Sequence, residues 1–141
     1  MLSSNDVHRL EVQSVGKDPR AQIFLQDAYD LGLVALCEIN IVDVYFIHGD
    51  LSSENRTVLE DILVEPLLQQ ASWGLKTMPC DHFVETALHA GVTDAASQQL
   101  RRIAARLGIR IDAVTTAKRF DITGKVDSCE LDLLVRKLLA N

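Results

Sequence analysis

The chain has 141 residues, 48% of them hydrophobic and 24% charged, and a formal net charge of −6. That length suits one domain or two very small ones, with enough apolar material to bury a core without disulfides or a structural metal. The acidic balance argues against nonspecific binding to nucleic acid or acidic membranes. Cys37, Cys80 and Cys129 are odd in number and show no CxxC or Cys/His ligand spacing, so reduced thiols in a cytoplasmic protein are expected. The N-terminus has no apolar signal region, and no window of the sequence approaches a membrane span.

In chain order, HRLEVQS (8–14) alternates apolar and polar residues, as a half-buried strand does. Asp18 and Pro19 then supply an N-cap and a pre-set first helical residue. The helix that follows is expected to turn Ile23, Phe24, Ala28 and Leu31 to one side and to stop at Gly32. Two strands, 35–41 and 43–48, and a helix over 53–64 complete a first unit. Pro66, Gly74 and Pro79 oppose long regular structure in PLLQQASWGLKTMPCD, which contains Trp73, the single tryptophan. Trp73 is expected to pin this linker to the core, with contact to a partner as the alternative. A second unit opens at His82. Thr93 or Asp94 caps its first helix, whose stripe is Leu100, Ile103, Ala104 and Leu107, and Gly108 stops it. Strands 112–116 and 118–123 follow, then a helix over 128–140 whose Asp127 and Glu130 have capping-box spacing.

The two units echo one another. HRLEV stands over HFVET at an offset of 74, DAYDLGL over IAARLGI at 76, VYFIHGDL over RFDITGKV at 75, and VLEDIL over LVRKLL at 76. Four matching blocks in one order, at offsets of 74 to 76, indicate a duplicated β-α-β-β-α unit. The expected fold is therefore α+β: two tandem units, 7–66 and 82–141, joined by a linker at 67–81, forming a pseudo-dimeric sheet with helices on one face.

Chemical motifs are scarce. The seven glycines are isolated, so no phosphate-cradling loop is visible, and no GxSxG nucleophile motif occurs. His8 and His82 hold equivalent strand positions and read as residues at the start of an edge strand rather than as metal ligands. His48-Gly49-Asp50 has the look of a catalytic mouth. Yet its counterpart is Thr123-Gly124-Lys125, so only the glycine is shared, and a strand-to-helix turn explains it. Arg101, Arg102, Arg106 and Arg110 read as a solvated helical face. No catalytic, cofactor-binding or metal-binding residue is assigned. The structural positions singled out are the turn glycines Gly49 and Gly124 and the caps Asp18, Gly32, Gly108 and Asp127, with Trp73 as the alternative partner contact.

FIHGDLSSENRTVLEDILVEPLLQ (46–69), HFVETALHAGVTDAASQQLRRIAARLGI (82–109) and RFDITGKVDSCELDLLVRKLLAN (119–141) together resemble the small-subunit-like (PurS-like) region of phosphoribosylformylglycinamidine synthase. GVTDAASQQL is the most typical phrase. The resemblance runs from about residue 7 onward and departs from the family at VGKDPRA, where a longer loop is usual. It implies a non-catalytic scaffold of an ATP- and glutamine-dependent ligase of purine biosynthesis. The implied partners are the synthase catalytic domain and the glutaminase domain or subunit. ATP and magnesium would be bound only in catalytic domains outside this region. The ending LLAN, where the family continues into a proline, is expected to mark a fragment, and weak self-association is expected of the isolated piece. The alternative from a different class is a regulatory module that senses a small molecule at the interface of the two repeats.

Overall fold

The computed structural model describes residues 6–76, 79–87 and 94–139. The fold is α+β. Its elements run β1 (Val7–Ser14), α1 (Pro19–Asp30), β2 (Leu36–His48), α2 (Ser53–Leu63), β3 (Gln69–Trp73), β4 (His82–Ala87), α3 (Ala95–Arg106), β5 (Ala113–Gly124) and α4 (Ser128–Leu134), which continues into a π-helical turn at Val135–Leu139. The strands form one antiparallel sheet in the order β3-β1-β2-β5-β4.

One expectation is corrected in each half. Where two strands were read, 35–41 with 43–48 and 112–116 with 118–123, the chain makes one long strand, β2 and β5 respectively. A single residue, Val42 or Ala117, cannot reverse a chain, and no Gly, Pro or Asn-Gly pair lies there to make a turn. Alternation instead runs straight through. Ile39, Ile41 and Ile47 of β2 face the helices, while Val42 and Val44 are fully buried on the other side. Each half is thus β-α-β-α. The linker also contributes β3, which pairs with β1 through Leu10–Trp73 and Val12–Ala71. β1 is therefore an interior strand, not the edge expected from His8, whereas β4 is an edge.

The register of the sheet places both cores on one face. The first core joins Ala21 and Ala28 of α1 to Leu134 of α4, over Ile39, Ile41, Phe120 and Ile122. Phe24 packs edge-on against Phe120 at 5.4 Å between ring centroids. The second core joins Leu59 of α2 to Leu100 and Ala104 of α3, over Leu10, Val12, Ile47 and Val114. Each core thus takes one helix from each half of the chain. The buried side of α1 is rotated from the expected stripe. Ala21 and Ala28 point inward, while Ile23 and Leu31 are exposed, because the sheet beneath supplies large side chains and needs small ones above. In α3, Leu100 and Ala104 are buried and Leu107 faces out.

The helix ends follow from short-range chemistry. Asp18, Ser52, Asp94 and Asp127 each accept a backbone N–H of the first turn, and Asp127 with Glu130 makes the full capping box. Gly32 (φ +95°) and Gly108 (φ +76°) take the left-handed conformation after α1 and α3. Arg20 hydrogen-bonds Asp18 and so holds its carboxyl below the usual carboxylate range.

A depressed folded-state value gives stability that is present above the unfolded-state value and is lost as the pH falls through the folded one. Acid titration of unfolding should therefore show a loss of stability below about pH 4. Asp18→Asn should be less stable than the parent at neutral pH and should lose less on acidification, as measured by urea denaturation across pH.

Candidate functional site

The sheet face opposite the helices holds the most unusual chemistry in the molecule. Buried polar residues include Glu11 and Arg119, each 3% exposed, and Asp121. Strand alternation puts Glu11 of β1 on this face, opposite Val44, and Arg119 of β5 opposite Val42, so the pair meets over the valines of the central strand. Arg119 Nη1 donates to Glu11 Oε2 at 2.8 Å, and its Nε donates to Asp121 Oδ1 at 3.0 Å. Arg9 Nε donates to the same Glu11 oxygen at 2.7 Å, and its Nη2 bonds Glu85 of β4. Arg9 also lies 5.3 Å over the ring of Phe46. β1 and β4 are separated by two strands, so the Arg9–Glu85 pair requires the face to curl inward and the long side chains to lean across it. The result is a charged roof over Val42, Val44 and Phe46.

The linker is tied to this roof. β3 and β4 lie on opposite edges, about 19 Å apart at ordinary strand spacing. Lys76 and Asp81, both from the segment between them, are each bonded to the sheet. Arg119 Nη2 donates to the Lys76 carbonyl at 3.0 Å, and the Lys76 N–H donates to Glu11 Oε1 at 3.3 Å. On the far side the Asp81 N–H donates to the Ile122 carbonyl, and Asp81 Oδ2 accepts the Gly124 N–H at 2.8 Å.

This arrangement is a clamp of paired fixed charges. Guanidinium groups do not exchange protons near neutral pH. Glu85 and Glu11 hydrogen-bond Arg9 and, against the opposing effect of burial, raise its value further. Each carboxylate is engaged by an arginine. Burial and then Asp121 push the Cys80 thiol up, so it stays protonated and is not a poised nucleophile. No cluster of three or more His, Cys, Asp or Glu side chains with metal-binding geometry occurs among the described residues.

The residues singled out in the sequence lie elsewhere. Gly49 (φ +156°) ends β2, and a Cβ there would stand 3.0 Å from the Arg110 carbonyl oxygen at the start of β5. Gly124 (φ +143°) ends β5, and a Cβ would meet the Ala35 carbonyl oxygen at 2.5 Å, at the start of β2. The contacts are reciprocal, each glycine backing onto the other half of the chain. His48 is half-buried and Asp50 is exposed, beside one another on the turn. His8 Nε2 bonds the Gly49 carbonyl at 3.0 Å, and His82 Nε2 bonds the Val126 carbonyl at 3.1 Å. Both histidines therefore tie a strand to the turn of their own half. Arg56 Nη2 donates to His8 Nδ1 at 2.9 Å, which leaves the His8 proton on Nε2. The Arg56 guanidinium lies over Trp73 at 5.3 Å, so Trp73 holds β3 against β1 and α2. Thr93 and Gly91 lie outside the described residues.

The sequence reading missed the charged roof. Its one visible signal was Glu11 and Glu85 recurring at the offset of 74, and their meeting through Arg9 depends on the curl of the sheet. Among known proteins, no family model matches the chain, and no curated protein or solved structure matches it.

Removing one partner of a buried ion pair strands the other charge. Arg119→Met leaves Glu11 bonded to Arg9 but strands the buried Asp121, so it should cost about 3–5 kcal/mol, while adding Asp121→Asn to it should recover part of that loss, read as the midpoint of chemical denaturation. Gly124→Ala should destabilise by more than about 1 kcal/mol because both φ and space oppose a side chain. Gly16→Ala, with nothing within 4 Å of its added carbon, should leave the midpoint unchanged.

Proposed function

We propose that this chain is a non-catalytic assembly module made of two PurS-like units fused into one pseudo-dimeric sheet, and that it serves as the scaffold region of a phosphoribosylformylglycinamidine synthase. The observation that carries the fused-unit reading is the reciprocal glycine contact. Gly49 packs on residues 110–112 and Gly124 on residues 35–37, and every one of these positions is displaced by 75 from its counterpart. A two-fold relation between equivalent units generates such a pair, as it does in an isologous dimer. The similar bonds of His8 and His82 to carbonyls at or just after the equivalent turns, and the exchange of helices between the cores, support the same reading.

The tie to the synthase rests on the motif phrases at 46–69 and 82–109. In this reading the ligase chemistry, with its ATP, magnesium and glutamine, belongs to the catalytic and glutaminase partners. The module contributes rigid surface. A clamped linker and two interlocked cores suit that task, because a docking surface loses affinity when it must be ordered on binding.

Co-expression of this chain with a synthase core lacking the corresponding region, and with the glutaminase, tests the proposal. Co-elution on size exclusion, with restored glutamine-dependent amidine formation, is the expected outcome. Separate elution without rescue would refute it. Melting curves with purine intermediates and amino acids address the sensing alternative, and the scaffold reading expects no shift with any of them.

A further inference from the structure

Charges in the helix layer are distributed differently over its two cores. Around the first core both signs are interspersed on each helix: Arg20 with Asp27 and Asp30 on α1, and Glu130 and Asp132 with Arg136 and Lys137 on α4 and its π-helical turn, with Arg20 paired to Asp18 and Asp43 and Arg136 to Asp132. Around the second core they are segregated by helix. Glu54, Glu60 and Asp61 lie on α2, with Glu65 just beyond it, while Arg101, Arg102 and Arg106 lie on α3. Among the described residues, no ion pair joins any of these seven side chains to a group of opposite charge. Arg56 of α2 does not offset the acidic set, because it is turned inward to His8 and Trp73. Each set also borders an open hollow, one flanked by Arg101 and Arg102 and the other by Glu60 and Asp61.

We propose that a second copy of this chain docks on this half of the helix layer, with the acidic α2 of each copy against the basic α3 of the other. A two-fold interface needs one patch that carries both complementary parts. The α2–α3 pair provides it, because Leu59 of α2 and Leu100 of α3 lie in a single core and so put both helices on the same half of the helix layer. Charge complementarity selects the occupant. An unrelated partner would have to bring its own matching pattern, whereas a second copy of the chain carries it already. Local matching also overcomes the mutual repulsion expected between two molecules of net charge −6, since exposed charges are screened beyond about 10 Å at moderate salt. The surface is separate from the charged roof, and the inference does not depend on the synthase reading.

Sedimentation equilibrium of the full chain at about 0.1 M salt tests the interface. The parent should show a monomer–dimer equilibrium. Arg101→Glu with Arg102→Glu should weaken it at least about tenfold, and so should Glu60→Lys with Asp61→Lys, because each double substitution sets like charges against one another on both sides of the axis. Mixing the two variants should restore association to near the parent level, since acid again faces base at both contacts. The chain carrying all four changes should also dimerise, which covers the case of one double variant folding poorly. A parent that stays monomeric at every concentration, a double variant that dimerises as the parent does, or a mixture that stays monomeric overturns the proposal.

Discussion

The pairing of β2 with β5 is the contact on which the rest of the molecule depends. It runs antiparallel over the lengths of both strands, from Leu36 opposite Gly124 to His48 opposite Ala113. It joins residues from opposite halves of the chain and so carries a high loop-closure cost that local contacts cannot offset. The strands can lie this close at their ends only because Gly49 and Gly124 have no side chain there. With that ladder in place, β1 and β4 add outside it, and each core receives one helix from each half. The helices of the first half are covered by both halves, since α1 shares its core with Leu134 of α4 and α2 shares its core with Leu100 and Ala104 of α3.

The second constraint is the open face. A sheet with helices on one side leaves the other to water, yet Val42 and Val44 are fully buried there. Their cover is a set of ion pairs and a stretch of linker backbone, an expensive solution because buried charges must be desolvated and each requires its partners. The gain is positional. Glu11 and Arg119 fix the Lys76 backbone and, with Asp81, set the path by which the chain passes from one sheet edge to the other. The same linker forms β3, so Trp73 and Lys76 act on opposite faces of one sheet, the first packed beside Arg56 and the second bound to the charged roof.

Legibility in the sequence followed the range of the interactions. Helix ends are local: Asp18, Asp94 and Asp127 cap through their own side chains, within reach of a short-range reading. The α+β class was legible because helical stripes and strand alternation both need only a few residues. Strand continuity was not. Val42 and Ala117 looked like the gaps between strand pairs, and only the cross-strand ladder shows each to be mid-strand. The face of α1 was misjudged for a similar reason. Ile23 and Leu31 carry the greater hydrophobicity, but the depth available over Phe120 and Ile122 favours Ala21 and Ala28. The charged roof was least legible of all, since Arg9, Glu11, Glu85 and Arg119 are spread over 111 positions of the sequence numbering and meet only across a curved sheet.

By itself, then, the sequence determined the order of the helices, the caps at Asp18, Gly32, Gly108 and Asp127, and the two glycines placed 75 residues apart, because each depends on backbone sterics and near neighbours. The tertiary structure alone decided the single long strands, the exchange of helices between cores, the strand formed by the linker and the clamp of buried charges. Those features arise from pairings between distant segments, whose register and curvature follow from packing the whole chain at once.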